Sequence, residues 1–192
     1  MSAIPKPKFT IDEYIEFDKN TEGKWEYFDG EVLDMAGGSL NHNRIARNLI
    51  ALFERELRDK PYEVLPSDMR IKVPKALPYR YADVVIVCEK PIIEEIQGQE
   101  MLVNPLLIVE VLSPTTEGYD YGAKFIAYQS IESFREYLLV SQERPHVTHY
   151  VRQPGDQWLR NDIEGMEKTL SLATVVCKLG LGEIYRLVMF SP

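Results

Sequence analysis

Residues 1–8 are polar and rich in Pro and Lys, and are expected to be flexible; the first patterned segment is Thr10-Ile-Asp-Glu13. A Thr followed three residues later by Glu is a capping box, so a short helix is predicted from there through Phe17, lying as a lid on the core. Residues 24–35 form two strand-like runs around Asp29-Gly30. That dipeptide accepts the positive φ angles of a type I′ turn, which predicts a β-hairpin. Gly37-Gly38 then breaks the pattern and Ser39 supplies an N-cap. Ile45, Leu49, Leu52, Phe53 and Leu57 follow at helical spacing, predicting the longest helix, to about Arg58.

Three short strands come next, over residues 63–73 (interrupted by Pro66), 81–88 and 106–112. The last two are aliphatic almost throughout, the pattern of strands buried on both faces. Ser113-Pro114 ends the third, and a second helix is predicted over 120–131 with Phe125, Tyr128 and Ile131 on its apolar side. Further strands are predicted at 136–141, 147–152 and 158–161, with turns at Arg144-Pro145 and Pro154-Gly155. Hairpin, helix, strands, helix, strands is the order of a mixed α/β core: a sheet of four or five strands, the long helix on one face, the second helix near the active edge. A length of 192 residues, with no internal repeat or linker, suits one domain.

Composition narrows the class. With 45% hydrophobic and 27% charged residues the chain has the balance of a folded globular protein. No apolar run approaches the roughly 20 residues that span a bilayer, and the first residues lack the apolar core of a secretory signal, so no membrane partner and a cytoplasmic location are expected. Cys88 and Cys177 stand far apart without CxxC spacing and are expected to be core thiols, neither zinc ligands nor a disulfide. A net charge of −8 argues against a broad electrostatic surface for nucleic acid. Any DNA contact must then be local, and bound Mg²⁺ would offset part of the negative charge.

Two acids stand out. Asp83 heads the otherwise apolar run Tyr81-Ala-Asp83-Val-Val-Ile-Val-Cys88, and Glu110 sits inside Leu106-Leu-Ile-Val-Glu110-Val-Leu112. Leaving a carboxylate buried and unpaired costs several kcal/mol, roughly, so each needs a partner. A hard divalent cation shared between two adjacent strands is the simplest account, since Mg²⁺ takes one or two carboxylates plus water and phosphate oxygens. The plainer account pairs each acid with an arginine such as Arg70 or Arg80, or leaves it at a strand end in water.

Five segments are similar to those of a known family: Trp25-Glu26-Tyr-Phe-Asp-Gly-Glu31, Asn41-His42-Asn-Arg-Ile-Ala46, Ala82-Asp83-Val-Val-Ile-Val87, Asn104-Pro-Leu-Leu-Ile-Val-Glu-Val-Leu-Ser-Pro114 and Asp120-Tyr-Gly-Ala-Lys124. From about residue 9 to 152 the chain resembles the Uma-two family within the restriction-endonuclease-like PD-(D/E)XK superfamily. The resemblance implies a restriction-endonuclease-like mixed sheet flanked by helices. It also implies Mg²⁺ (Mn²⁺ as substitute) on Asp83 and Glu110, with Glu26 as a further acid for metal and catalysis. Glu31, Asp29 or Asp34 could take the place of Glu26, because hairpin register decides which side chain faces the sheet.

Ala82 stands where the superfamily has Pro, and Leu112 where its Lys would follow Glu110. Leu can neither orient water nor offset phosphate charge. Lys124 is the expected substitute, with Tyr128 one turn on in support and as a candidate substrate contact; the plainer reading makes Lys124 a solvated helix lysine paired with Asp120. Arg44, with Arg47, Arg55 and Arg58, could touch phosphates, or form a solvated face mixed with Glu54 and Glu56. His42 is a second candidate for substrate contact, whereas His146 and His149 receive no role.

The activity expected is Mg²⁺-dependent hydrolysis of nucleic-acid phosphodiesters, with DNA as partner and catalysis by Asp83, Glu110, Lys124 and Glu26. A homodimer would help cut two strands, though nothing in the sequence establishes one. Two rivals remain: a catalytically retired nuclease fold serving as a binding or regulatory module, and a metal hydrolase acting on a small phosphorylated molecule.

Overall fold

In the computed structural model, residues 8–190 are described apart from Asp29, Ala36 and Leu77. The elements in chain order are α1 (Ile11–Asn20), β1 (Trp25–Phe28), β2 (Glu31–Asp34), α2 (Leu40–Leu57), β3 (Tyr62–Pro66), β4 (Arg70–Ile71), β5 (Arg80–Tyr81), β6 (Val84–Cys88), β7 (Ile93–Ile96), β8 (Gln99–Leu102) and β9 (Leu107–Leu112). A composite helix follows, made of α3 (Glu117–Tyr119), a π-helical turn (Asp120–Lys124) and α4 (Phe125–Tyr128). The chain then forms β10 (Glu136–Ser141), β11 (His146–Arg152), β12 (Trp158–Glu164), β13 (Thr169–Ser171), β14 (Lys178–Gly180) and α5 (Leu181–Ile184).

The principal sheet has six strands in the order β12-β11-β10-β9-β6-β3, with β9 and β10 parallel and the other neighbours antiparallel. Alternation along each strand divides its side chains between two faces. Val84, Ile86, Leu107, Val109, Val111, Leu138 and Val140 pack against Ile45, Leu49, Leu52 and Phe53 of α2. Val85, Val87, Ile108, Leu112, Tyr137 and Leu139 pack on the opposite side with Phe125, Tyr128 and Phe134. Each large apolar side chain buried in this way contributes about 1.5–3 kcal/mol. Glu110, between Val109 and Val111, therefore points to the second face, beneath the composite helix.

A second sheet, β5-β4-β8-β7, carries α1. Its capping box is formed as expected, with the Thr10 hydroxyl accepting from Glu13 N and the Glu13 carboxylate accepting from Thr10 N. Asp18 of α1 docks it: one carboxylate oxygen accepts from Tyr79 (2.7 Å), Gln99 (3.0 Å) and Arg70 (3.1 Å). Ser39 caps α2 by accepting from His42 N at 3.1 Å. The N-terminal hairpin forms with Trp25 opposite Asp34, whereas the turn type expected at Asp29-Gly30 and the end expected for residues 1–7 lie outside the described residues.

Several details depart from the sequence reading. The segment 63–73 splits at Pro66, and its halves enter different sheets. The hairpin β7–β8 was not predicted: Glu94, Glu95 and Glu100 obscure its alternation, although Gln97 and Gly98 carry the positive φ angles (51° and 81°) of a tight turn. The second helix starts at Glu117, three residues before the predicted Asp120, because Ser113 folds the chain back by accepting from Thr116 N. The principal sheet has six strands, more than the four or five expected. β13, β14 and α5 were also missed, being only three or four residues long. Cys177 is buried as expected, but Cys88 is exposed at the outer end of β6.

Candidate active site

Between β5 and β6 the chain bends at Ala82-Asp83, which lets β5 leave the principal sheet. The bend holds Asp83 against β9 on both sides of Glu110: Asp83 N donates to Val109 O (3.1 Å), and Asp83 Oδ2 accepts from Val111 N (2.6 Å). Its other oxygen lies 3.3 Å from His42 Nε2 at the first turn of α2. The two acids singled out in the sequence are thus adjacent, one at a strand entrance and one in a central strand.

Lys124 comes from the π-helical turn, where the wider winding puts Asp120 and Lys124 together on the sheet side. Its ammonium is 1% exposed and lies 3.0 Å from Glu110 Oε1, 3.7 Å from Asp120 Oδ1 and 3.9 Å from Glu26 Oε2. Burial pulls the lysine pKa down, but Glu110, Glu26 and Asp120 more than offset it, and the net direction is up. Lys124 is therefore charged, and is not the solvated lysine of the plainer reading. Burial drives the carboxyls of Glu110, Glu26 and Asp120 upward, Glu110 furthest, with Lys124 opposing in each case.

Tyr128 is fully buried, and its single hydroxyl proton is within reach of Glu110 Oε1 at 3.1 Å and Tyr81 O at 3.3 Å, the nearer carboxylate being the stronger acceptor. This corrects its expected role as a substrate contact: it supports the carboxylate from behind, with no surface to offer a ligand. Arg44 lies half-buried on α2, two residues beyond His42. His42 is held high in pKa, since burial lowers it but the hydrogen bond and charge of Asp83 outweigh this.

Glu26 also departs from its expected place. It comes from β1 and is fully buried, with Oε1 3.1 Å from Arg80 Nε in an ion pair. Neither Glu26 oxygen has a hydrogen-bond partner, nor does Arg80 Nε or the Tyr119 hydroxyl beside them. Burial and the Glu26 charge push Tyr119 up to about 12. Arg80, named in the sequence as a partner for Asp83 or Glu110, serves Glu26 instead, and Arg70 serves Asp18.

The residues suit a hard cation through two carboxylates rather than three. Asp83 and Glu110 offer oxygen donors, the chemistry Mg²⁺ selects. Among the described residues no three His, Cys, Asp or Glu side chains form a ready-made cage, and Glu26 is engaged by Arg80. Water and substrate would complete such a sphere. Asp120 was named only as a partner for a solvated Lys124, at a spacing of four; the structure keeps that pairing (3.7 Å) but buries both in the acidic group. His146 and His149, given no role, pair with Asp162 (3.2 Å) and Glu136 (2.5 Å) away from this cluster.

The mixed sheet, its helical crossover and the N-terminal hairpin define the fold, and the buried cluster sits where the crossover meets β9. Residues 11–181 match the family described as "Putative restriction endonuclease" (Uma2), and the chain belongs to it. It is 37% identical over 156 residues to the uncharacterized protein sll1609 of Synechocystis sp., covering 81% of this chain and 88% of that one. With the uncharacterized protein slr1290 of the same organism it shares 32% identity over 188 residues, covering 98% and 97%. The crystal structure of a "putative nuclease belonging to DUF820" from Anabaena variabilis superposes with a TM-score of 0.76, covering 94% of this chain and 99% of that chain. Identity there is 14%, so the likeness is one of fold.

Proposed function

We propose that this protein is a divalent-metal-dependent nuclease that hydrolyses nucleic-acid phosphodiester bonds, with DNA as the expected polymer. The observation that carries the reading is the placement of Lys124 Nζ 3.0 Å from Glu110, in a strand that Asp83 grips on both sides of that residue. Asp83 and Glu110 would hold Mg²⁺, or Mn²⁺ in its place. Such an ion supplies positive charge at the phosphate and a more acidic bound water. Lys124 keeps its proton at the site, orients water by donation and offsets charge developing on phosphorus. Tyr128 fixes the Glu110 carboxylate, Glu26 and Asp120 fix the ammonium, and His42 faces Asp83 from α2.

The test is nicking of supercoiled plasmid in Mg²⁺ or Mn²⁺, with calorimetric titration of each ion. Wild type should bind and cleave; Asp83→Ala/Glu110→Ala should do neither, and Lys124→Met should bind without cleaving. One observation favours a second reading, the retired fold: the Lys124 charge is already enclosed by three carboxylates of its own chain. Absence of both binding and cleavage in folded wild type would overturn the nuclease reading in favour of that one. Metal binding without cleavage of any polymer would redirect the site to small phosphorylated substrates.

A further inference from the structure

β12 is the outer strand of the principal sheet, seven residues long and largely exposed. Its free edge can be read from the hydrogen bonds on its inner side. Gln153 N donates to Gln157 O and Gly165 N donates to Pro145 O, so with the register Val151↔Leu159 and Val147↔Ile163 the odd-numbered residues turn their backbone groups toward β11. Those of Trp158, Arg160, Asp162 and Glu164 turn outward, and among the described residues none makes a backbone hydrogen bond there. A long unpaired edge of this kind is a template for another strand, and native proteins commonly block it with Lys, Pro or a bulge. β12 contains neither Lys nor Pro, and its charges, Arg160, Asp162 and Glu164, are of mixed sign, so they can pair across a two-fold axis as well as repel.

We infer that β12 is the interface of a homodimer in which two copies pair antiparallel, edge to edge, about a two-fold axis at Asn161. Outward backbone groups lie only on even-numbered residues, so few symmetric registers are open. One places Arg160 against Arg160 of the second copy; another places Asp162 against Asp162 on the axis, where the like charges meet although Arg160 then faces Glu164. The register centred on Asn161 sets Arg160 opposite Asp162 of the second copy, twice by symmetry. On the other face it sets Leu159, 52% exposed, opposite Ile163 of the second copy. Charge and apolar complementarity thus select one register, and the contact is isologous, the form that closes as a dimer. Arg160 is poised for it: its guanidinium lies over the rings of Tyr121 (5.7 Å) and Tyr150 (5.9 Å), and its own Asp162 orients it. The inference does not rest on the nuclease reading.

The experiment is light scattering on size-exclusion peaks of the full chain, with circular dichroism confirming the fold of each variant. Wild type should have twice the 22.2 kDa of one chain. Arg160→Asp and Asp162→Arg should each be monomeric, because each alone sets like charges across the axis. Mixed one to one they should form the heterodimer, since each then opposes the other's charge; a role within one chain gives no such recovery. Asn161→Lys, an exposed position where two ammoniums would meet on the axis, should likewise be monomeric and serves if the charge variants fail to fold. A monomeric wild type at tens of micromolar, or folded charge variants that stay dimeric or fail to associate when mixed, would overturn the inference. A dimeric, folded Asn161→Lys would do the same.

Discussion

Replacing Lys124 with Met tests whether the buried ammonium keeps the acidic cluster charged. Met matches the length of the lysine stem, so packing is nearly conserved while the neighbour 3.0 Å from Glu110 disappears. Glu110 must then stay charged without its counter-ion or take up a proton. An unfolded glutamate titrates near 4.3, so holding one neutral at pH 7 costs about 3.7 kcal/mol at 1.36 kcal/mol per unit. Breaking a buried pair by removing one partner costs about 3–5 kcal/mol by mutation, which agrees. The expected loss is therefore up to about 3–4 kcal/mol at pH 7, since wild-type Glu110, itself raised, already carries part of that cost. The sign with pH follows from the upward direction at Glu110: a carboxyl raised by folding stabilises fully below its unfolded value and loses that contribution as pH rises through its folded value. Lys124 opposes the shift in wild type, so the variant's deficit should grow upward from about pH 4.5 and be within about 1 kcal/mol of zero there. Urea unfolding of both proteins from pH 4.5 to 8 measures it. A deficit below about 1 kcal/mol at pH 7, or one constant across that range, would refute the argument.

Tyr128→Phe removes the donor behind Glu110 and should cost about 1–3 kcal/mol in urea unfolding while leaving Mg²⁺ titration intact; loss of metal binding instead would contradict its supporting role. Asp18→Ala strands Arg70, Tyr79 and Gln99 and should cost about 3 kcal/mol, with nicking by the folded fraction unchanged; an unaffected urea midpoint would show that α1 does not dock through this carboxylate. His42 is raised in pKa, so its pairing with Asp83 stabilises most below the free histidine value near 6.5 and is lost as pH rises through its folded value. His42→Ala should lower the urea midpoint more at pH 5.5 than at pH 9, and the reverse order would contradict that pairing.

Asp83 and Glu110 were legible because an acid at the head of or inside an aliphatic strand is chemically conspicuous, and the structure brings them together, Asp83 in the bend that enters β6 and Glu110 on β9. Lys124 was reached through the missing lysine at Leu112, and the structure places it 3.0 Å from Glu110. What stayed hidden depends on tertiary pairing. Glu26 lies in a hairpin whose alternation does not say which acid meets an arginine, so its pairing with Arg80 in place of a role beside Asp83 could not be read. Asp18 sits among the polar residues of α1 and gave no sign of burial. The π-helical turn has no pattern of its own, and Gly118 and Gly122 weakened the helical signal around it. Cys88 ends an apolar run, yet the last residue of a strand can emerge into solvent, as it does here.

Within the six-stranded sheet only β9 and β10 run parallel. A parallel neighbour cannot be reached by a tight turn, so the chain must leave the sheet, cross its face and return. The segment that makes this crossing, residues 113–135, carries Asp120, Lys124 and Tyr128. Until it closes, Glu110 is hydrated and has no lysine; once closed, the carboxylate is dry and the cluster complete. Burial of Glu110 and arrival of its counter-ion thus depend on the same docking of the crossover against β9. A chain with this crossover undocked keeps Asp83 bonded to β9 beside Glu110 but lacks Lys124, Asp120 and Tyr128, so the proposed nicking should vanish in step with its docking while the acid pair persists.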